Sequence, residues 1–522
     1  MKQFTLLLLA ASLLLFGACT GGKKGAKKQD DGKIDITFLQ LNDVYEITPL
    51  DNGKVAGMAR VATVRNQLKE SNPNTYTIMA GDFVSPSAIG TLKYEGQPIK
   101  GKQMIETMNA VGMDIVTFGN HEFDIKEKEL QDCLDLSNFK WVSANIKHKT
   151  AAGYEPFFKT KNGAKEMVTP TYIINTKDAD GTTIRVGVIG TTLNFALPDY
   201  ARYYNADSAA IAAYNFIKNQ TDFVVLITHQ SIDEDKQLAA KLPQVQLIMG
   251  GHEHNNMLEK VGNVTIAKAD ANVKTVYIHR LQFDKKTKKL SLKSELKPIT
   301  DKISQEPKTF AVVEKWSKIA DENCISIGLD PKNVVMKVPA NNPLEGRETF
   351  VRTQRTNLTT LIANAIRSTN PKVDAVIYNS GSIRIDDQIT GDVTEYDILR
   401  TLPFGGKILT VDMKGKLLTQ ILEQGVKNIG SGGFLQYDEW ISLNKDNTKT
   451  EFWLGKQPID PNKLYKVLIT DFLLTGKEKG LPYLTRDNPD IIKVSEPDPK
   501  DKTDLQNDLR LAIIGYLKKG GK

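Results

Sequence analysis

Asp43, Asp82, Asn120, His229 and the pair His252 and His254 are residue types that hold divalent cations, and each follows an apolar run. The runs are ITFLQLN before Asp43, TYTIMAG before Asp82, DIVTFG before Asn120, FVVLIT before His229 and VQLIMGG before His252. A mixed carboxylate, amide and imidazole set suits Mn²⁺, Zn²⁺, Fe²⁺ or Co²⁺, and the absence of any CxxC pair argues against a thiolate-bound structural zinc. Six ligands are more than one ion needs, so two ions are expected, with Asp82 as the bridge. Two ions roughly 3.5–4 Å apart activate a water and clamp the oxygens of an in-line displacement, so no protein nucleophile is required. The block Gly119-Asn120-His121-Glu122-Phe123-Asp124 adds a second function. His121 is set to face past the metals, with Asp124 orienting it as a proton donor or transition-state stabiliser.

These residues need elements that bring them together. Continuous apolar runs separated by helical stretches predict strands buried on both faces, in βαβ units. The carboxyl ends of such strands form the ligand crevice, so the candidates are expected to converge on one edge of an α/β sheet. In the second half, LEGRETFVRTQRTNLTTLIANAIR sets Arg347, Arg352 and Arg355 ahead of an apolar helix, and VDAVIYNSGSIRID reads as a strand and a turn presenting Arg384. Guanidinium groups bind phosphate in bidentate fashion.

Together, Asn42-Asp43, Gly81-Asp82, Gly119-Asn120-His121-Glu122, Thr228-His229 and Gly251-His252-Glu253-His254 resemble the calcineurin-like metallophosphatases. Within them the chain is similar to the two-domain bacterial 5′-nucleotidases, a group that includes UDP-sugar hydrolases and cyclic-nucleotide phosphodiesterases. The resemblance runs from about residue 34 to about residue 485. It implies an α/β sandwich followed by a smaller α/β substrate-binding domain, and a metal-dependent phosphoester hydrolase. It further implies that Arg347, Arg352 and Arg384 hold phosphate, and that Phe404 and Phe472 sandwich a base. Substrate would lie between the domains, whose rotation would control closure. Hydrolysis of 5′-nucleotides is the first expectation; a cyclic-nucleotide, UDP-sugar or other phosphoester is the alternative, and a surface binding protein without turnover is the alternative of another class. The ion identity stays open among Mn, Zn, Co, Fe and Mg.

The chain departs from the family pattern in three places. Tyr45 stands where relatives carry a histidine, which leaves Asp43, Asp82, His254 and water for one ion, with Tyr45 read as a packing or substrate-facing residue. Gly406 ends the Pro403-Phe404-Gly405-Gly406 turn where many relatives have an asparagine, and Glu478 stands where an aspartate would reach the ribose.

The 522 residues, 40% of them hydrophobic, are enough for two sizeable cores. The expected division is a metallophosphatase domain at 34–300, a helical linker at 301–335 and a C-terminal domain at 336–522. Of the net charge of +7, +4 lies in residues 1–33, so the remainder gives no basic surface for a nucleic acid polymer. Met1-Lys2 and the run LLLLAASLLLF are similar to a secretory leader, which ends in Phe16-Gly17-Ala18-Cys19, close to a bacterial lipobox. The reading is a signal peptide at 1–18, lipidation at Cys19, a tether at 19–33 and a monomer anchored in the bacterial envelope, periplasmic or surface-exposed. Cys133 and Cys324 are expected as unpaired buried thiols, and His148 and His279 as structural.

Overall fold

The computed structural model of the chain describes residues 30–194, 198–445 and 450–521. The leader, Cys19 and the tether up to residue 29 lie outside the described residues.

The strand Lys33–Leu41 shows how the sequence builds the first layer pair. Ile34, Ile36 and Phe38 point into one apolar cluster and Leu39 and Leu41 into another, so the strand is buried on both faces. It lies inside a six-stranded sheet ordered Lys289–Pro298, Thr275–Asp284, Lys33–Leu41, Thr75–Ala80, Ile115–Thr117, Lys140–Trp141. Its pairs with and beyond Thr75–Ala80 are parallel, and those toward Lys289–Pro298 are antiparallel. A second six-stranded sheet runs Thr171–Lys177, Thr183–Thr192, Phe223–His229, Leu247–Gly251, Val264–Lys268, Met257–Val261, parallel in its middle and antiparallel at both edges.

The sheets face each other, with Phe38, Ile78 and Ile115 of the first packed with Val188, Val225 and Leu247 of the second. Helices Met58–Ser71, Lys102–Val111 and Glu127–Leu136 cover the outer face of the first sheet, and Ala206–Ile217 and Ile232–Lys241 that of the second. The five apolar runs therefore do not share one sheet edge. Three belong to one sheet and two to the other, and the layers are stacked so that their carboxyl ends meet. Continuous apolar runs report burial on both faces, and a sandwich supplies that as well as a single helix-covered sheet does.

Helix Pro307–Ser326 packs on the helices at 58–71 and 102–111, and its Val313, Trp316 and Ala320 are buried in the first core. After it comes a five-stranded mixed sheet, ordered Leu435–Tyr437, Ala375–Asn379, Leu464–Thr470, Ile408–Lys414, Ile491–Ser495. Helices Asn357–Thr369 and Leu509–Lys518 cover one face and Gly415–Lys427 the other. The architecture is thus an α/β sandwich followed by a smaller α/β unit. Among the described residues, Cys133 and Cys324 are free and buried, and no helix is long and apolar enough to cross a membrane. His279 is buried between Ser294 Oγ and Gln40 Oε1, and His148 pairs with Glu127 and stacks on Phe157.

Phe38 is fully buried between the two sheets. Phe38→Ala is expected to cost about 3–5 kcal/mol, seen as a lower urea midpoint for the first unit with the second unit's transition unmoved.

Candidate metal centre

Asp43 and Asp82 follow their strands closely and turn away from them in left-handed backbone, at φ 51° and 56°. Both carboxylates are buried, and they meet His229 so closely that one ligand atom from each lies within 4.8 Å of the others. Around Asp82 Oδ2, His229 Nε2 is at 3.1 Å, and Asn120 Oδ1 is 3.2 Å from that nitrogen. On the other side His254 Nε2 is 3.4 Å from Asp43 Oδ1. The His252 ring stands edge-on to His229, their centroids 5.4 Å apart. The six sequence candidates are therefore one cluster.

Tyr45 belongs to it as well. Its hydroxyl donates to Asp82 Oδ2 at 3.1 Å and lies 3.3 Å from His254 Nε2. Its oxygen therefore stands among the candidate ligand atoms, where the sequence suggested water. The reason is local: Asn272 Oδ1 accepts from the backbone N–H of Tyr45 and of Glu46, and this fixes the loop after Asp43. Burial, with Asp82 and Asp43 adding to it, pushes the phenol well above its ordinary value, so it is a neutral donor here.

Backbone donors and one glutamate hold the carboxylates in place. The N–H of His252 donates to Asp43 Oδ2 and that of His121 to Asp82 Oδ1. Glu122 accepts from the N–H groups of Asp82, Phe83, Val84 and Gly119, which pins the loop carrying Asp82 to the loop carrying Asn120. Burial first, then Asp82, raises its carboxyl to about 7. Lys268, fully buried, performs the same task in the second sheet. Its ammonium donates to Gln230 O and Gly251 O and pairs with Asp235 and Glu253, so one cation ties the His229 loop to the His252 and His254 loop. The capping box of Ser231 and Glu234 starts the next helix two residues after His229.

Electrostatics favour cations. Burial resists ionisation of Asp82, but His229 and His121 hold its carboxyl well below the usual range. Burial likewise resists charge on His229, yet Asp82 and Asp43 raise it to about 9, whereas burial and His229 together lower His252 to about 4. Asp43 Oδ1 is buried and accepts no hydrogen bond. An orphaned buried carboxylate oxygen surrounded by imidazoles, an amide and a second carboxylate is what a divalent ion would satisfy, so the residues fit the metal chemistry.

The proton-transfer candidates pair directly, His121 Nδ1 to Asp124 Oδ2 at 2.6 Å. Burial opposes charge on His121, and Asp82 and Asp124 outweigh it and raise its pKa, while Arg384, close by from the second unit, works against them. The guanidinium of Arg384 lies 5.4 Å from the Phe404 ring, and its Nε is buried without a hydrogen-bond partner, as is Nε of Arg352. Arg352 pairs with Glu348. Arg347 is turned to Glu345, which accepts from both its Nε and its Nη2. Phe404 and Phe472, 57% and 41% exposed, sit on loops joined where Ile408 pairs with Thr470. Glu478 folds onto its own loop, accepting from the N–H of Lys479.

Sequence reading missed four contributors: the role of Glu122, and Asn272, Lys268 and Asp386 altogether. Lys268 did leave a signal, a lone cation closing the apolar strand Val264–Lys268. Asp386, two residues after Arg384, reaches His254 across the two units, Oδ2 to Nδ1 at 2.6 Å.

Residues 36–256 match the model of the calcineurin-like phosphoesterases, and residues 335–486 match that of the 5′-nucleotidase C-terminal domain. The chain is 26% identical to a 5′-nucleotidase of Bos taurus over 85% of this chain and 83% of that protein. It is 24% identical to a 5′-nucleotidase of Vibrio cholerae over 94% of each. A solved 5′-nucleotidase precursor from Thermus thermophilus shares the fold, with a TM-score of 0.68 at 21% identity over 93% of this chain and 96% of that one.

A side chain at Gly119 would put its Cβ 2.0 Å from Asp82 Oδ1 and 2.5 Å from the Asp82 nitrogen. Gly119→Ala is expected to displace the Asp82 carboxylate from the candidate metal cluster. Plasma mass spectrometry of the purified chain should then find the bound metal lost, while far-ultraviolet circular dichroism keeps its wild-type shape.

Proposed function

We propose that the chain, which belongs to the calcineurin-like phosphoesterases and carries a 5′-nucleotidase C-terminal domain, releases phosphate from extracytoplasmic 5′-nucleotides as a monomer with two divalent ions. Its working unit runs from a metallophosphatase domain at 34–300 through a helical segment at 301–335 to a substrate domain at 336–522. The observation that carries this reading is the pocket lined by Asp124 of the first unit, the partner of His121, together with Arg384 and Phe404 of the second.

Asp43, Asp82, Asn120, His229, His252 and His254 hold the ions, with the Tyr45 hydroxyl among them. When bound, the ions supply Lewis acidity and a water acidic enough to attack phosphorus near neutral pH. Asp124 engages Nδ1 of His121, which leaves the proton for the departing oxygen on Nε2. Arg352 and Arg384 each bring a buried, unpartnered Nε to the phosphate oxygens. Arg347, paired with Glu345, adds a third positive charge. The exposure of Phe404 and Phe472, with the Phe404 ring 5.4 Å from the Arg384 guanidinium, supports their stacking on a base.

A second reading, a cyclic nucleotide, a UDP-sugar or another phosphoester as substrate, is favoured by Glu478, whose carboxylate is spent on its own backbone instead of reaching toward a ribose. Cys19 is the proposed lipid anchor, holding the enzyme in the bacterial envelope.

Phosphate release from AMP, a 2′,3′-cyclic nucleotide, a UDP-sugar and an aryl phosphate under Mn²⁺ separates the readings. AMP is expected to give the highest kcat/KM, and release from the aryl phosphate alone would overturn the nucleotidase reading. His121→Ala is expected to lower kcat by about 10²–10⁴-fold with every cleaved substrate. For the anchor, Cys19→Ser is expected to move the protein from the membrane fraction to the soluble fraction of cells; unchanged membrane association would overturn lipidation.

A further inference from the structure

The metal-facing histidines are fixed from behind in different ways. His229 turns Nε2 to Asp82, and its Nδ1 lies 2.8 Å from Ala80 O, so its orientation is set entirely within the first unit. His254 turns Nε2 to Asp43 and Tyr45, but its Nδ1 is 2.6 Å from Asp386 Oδ2, on the second unit. Asp386 is itself held, since its Oδ1 accepts from the N–H of Glu348 at 2.5 Å and its backbone is left-handed at φ 39°. Beside it, Lys274 of the first unit pairs with Asp387 of the second. A carboxylate behind a ligating imidazole fixes the ring's orientation and tautomer and raises its basicity toward the metal.

We propose that Asp386 is a positioning residue that acts from the second unit on His254, so that the ion position of Asp43, Tyr45 and His254 is complete only when the two units are in contact. The position of Asn120, His229 and His252 does not share this dependence. The inference rests on the two-ion reading above and deepens it. By linkage, an ion that binds more tightly to the joined arrangement favours that arrangement by the same factor. The proposed phosphate-binding arginines ride on the same unit as Asp386, with Arg384 two residues before it, so filling this position also favours the pocket that Arg384 shares with Asp124.

The test is Mn²⁺ titration of the metal-stripped full chain, followed by calorimetry and by electron paramagnetic resonance, for wild type, Asp386→Asn, Asp386→Gly and Asp387→Asn. Asparagine and glycine both tolerate the left-handed backbone, so these variants are expected to keep the wild-type circular dichroism. Asp386→Asn should weaken one of two ions by about tenfold and Asp386→Gly by up to about a hundredfold, with the other ion unmoved. Asp387→Asn, which weakens the neighbouring contact between the units but leaves the carboxylate behind His254 in place, should weaken the same ion by less than Asp386→Asn does. Small-angle scattering should show Mn²⁺ compacting the wild type more than Asp386→Gly. Two ions in the wild type with affinities unchanged in both Asp386 variants would overturn this inference alone, as would equal weakening in Asp387→Asn. Fewer than two ions in the wild type would overturn the two-ion reading and this inference with it.

Discussion

Two carboxylates, Asp43 and Asp82, are buried side by side, and the first unit is organised around the cost of keeping them there. Like charges removed from water are tolerated only with donors and cations at hand. The chain supplies N–H donors from His252 and His121, imidazoles from both sheets, and an Asp43 oxygen left for a metal. The stacking of two sheets with their carboxyl ends together follows from the same need, because one sheet end could not bring His229 and Asp82 to 3.1 Å while Asn120 and His254 close in from two sides. Glu122 in one layer and Lys268 in the other lock the loops, each binding several main-chain groups at once.

Much of this was legible in the sequence. Apolar runs ended by residues that can hold a cation marked the strands and the candidates that cluster at their ends, since both depend on residue type and strand-end position. The order of the layers was not legible, because a run buried on both faces reads the same in one helix-covered sheet as in a sandwich. The place of Tyr45 was not legible either, since it depends on Asn272, more than two hundred residues away. Lys268 and Asp386 were missed for a related reason: a single lysine or aspartate carries no local pattern, and its meaning lies in what the fold puts around it. In the second unit the arginines could be picked out, but not that Arg347 would be engaged by Glu345 while Arg352 and Arg384 keep an unpartnered nitrogen.

Identity near one quarter with full-length relatives fits this division of labour. Both family models match, in the order of the two units, while Tyr45, Gly406 and Glu478 are the places where the chain departs from the family pattern. Away from the metal cluster, a phosphoesterase can vary the residues around a base without disturbing the attack on phosphorus, because a base stacked on aromatic faces is held with little regard for its identity.

The seam between the two units is made largely of polar partners. Asp386 meets His254, Lys274 meets Asp387, and the buried Glu46 of the first unit accepts from Tyr396 and faces Arg400 of the second. Each of these pairings has an aqueous equivalent, so water could take the place of either partner in any one of them without leaving the other group unsatisfied.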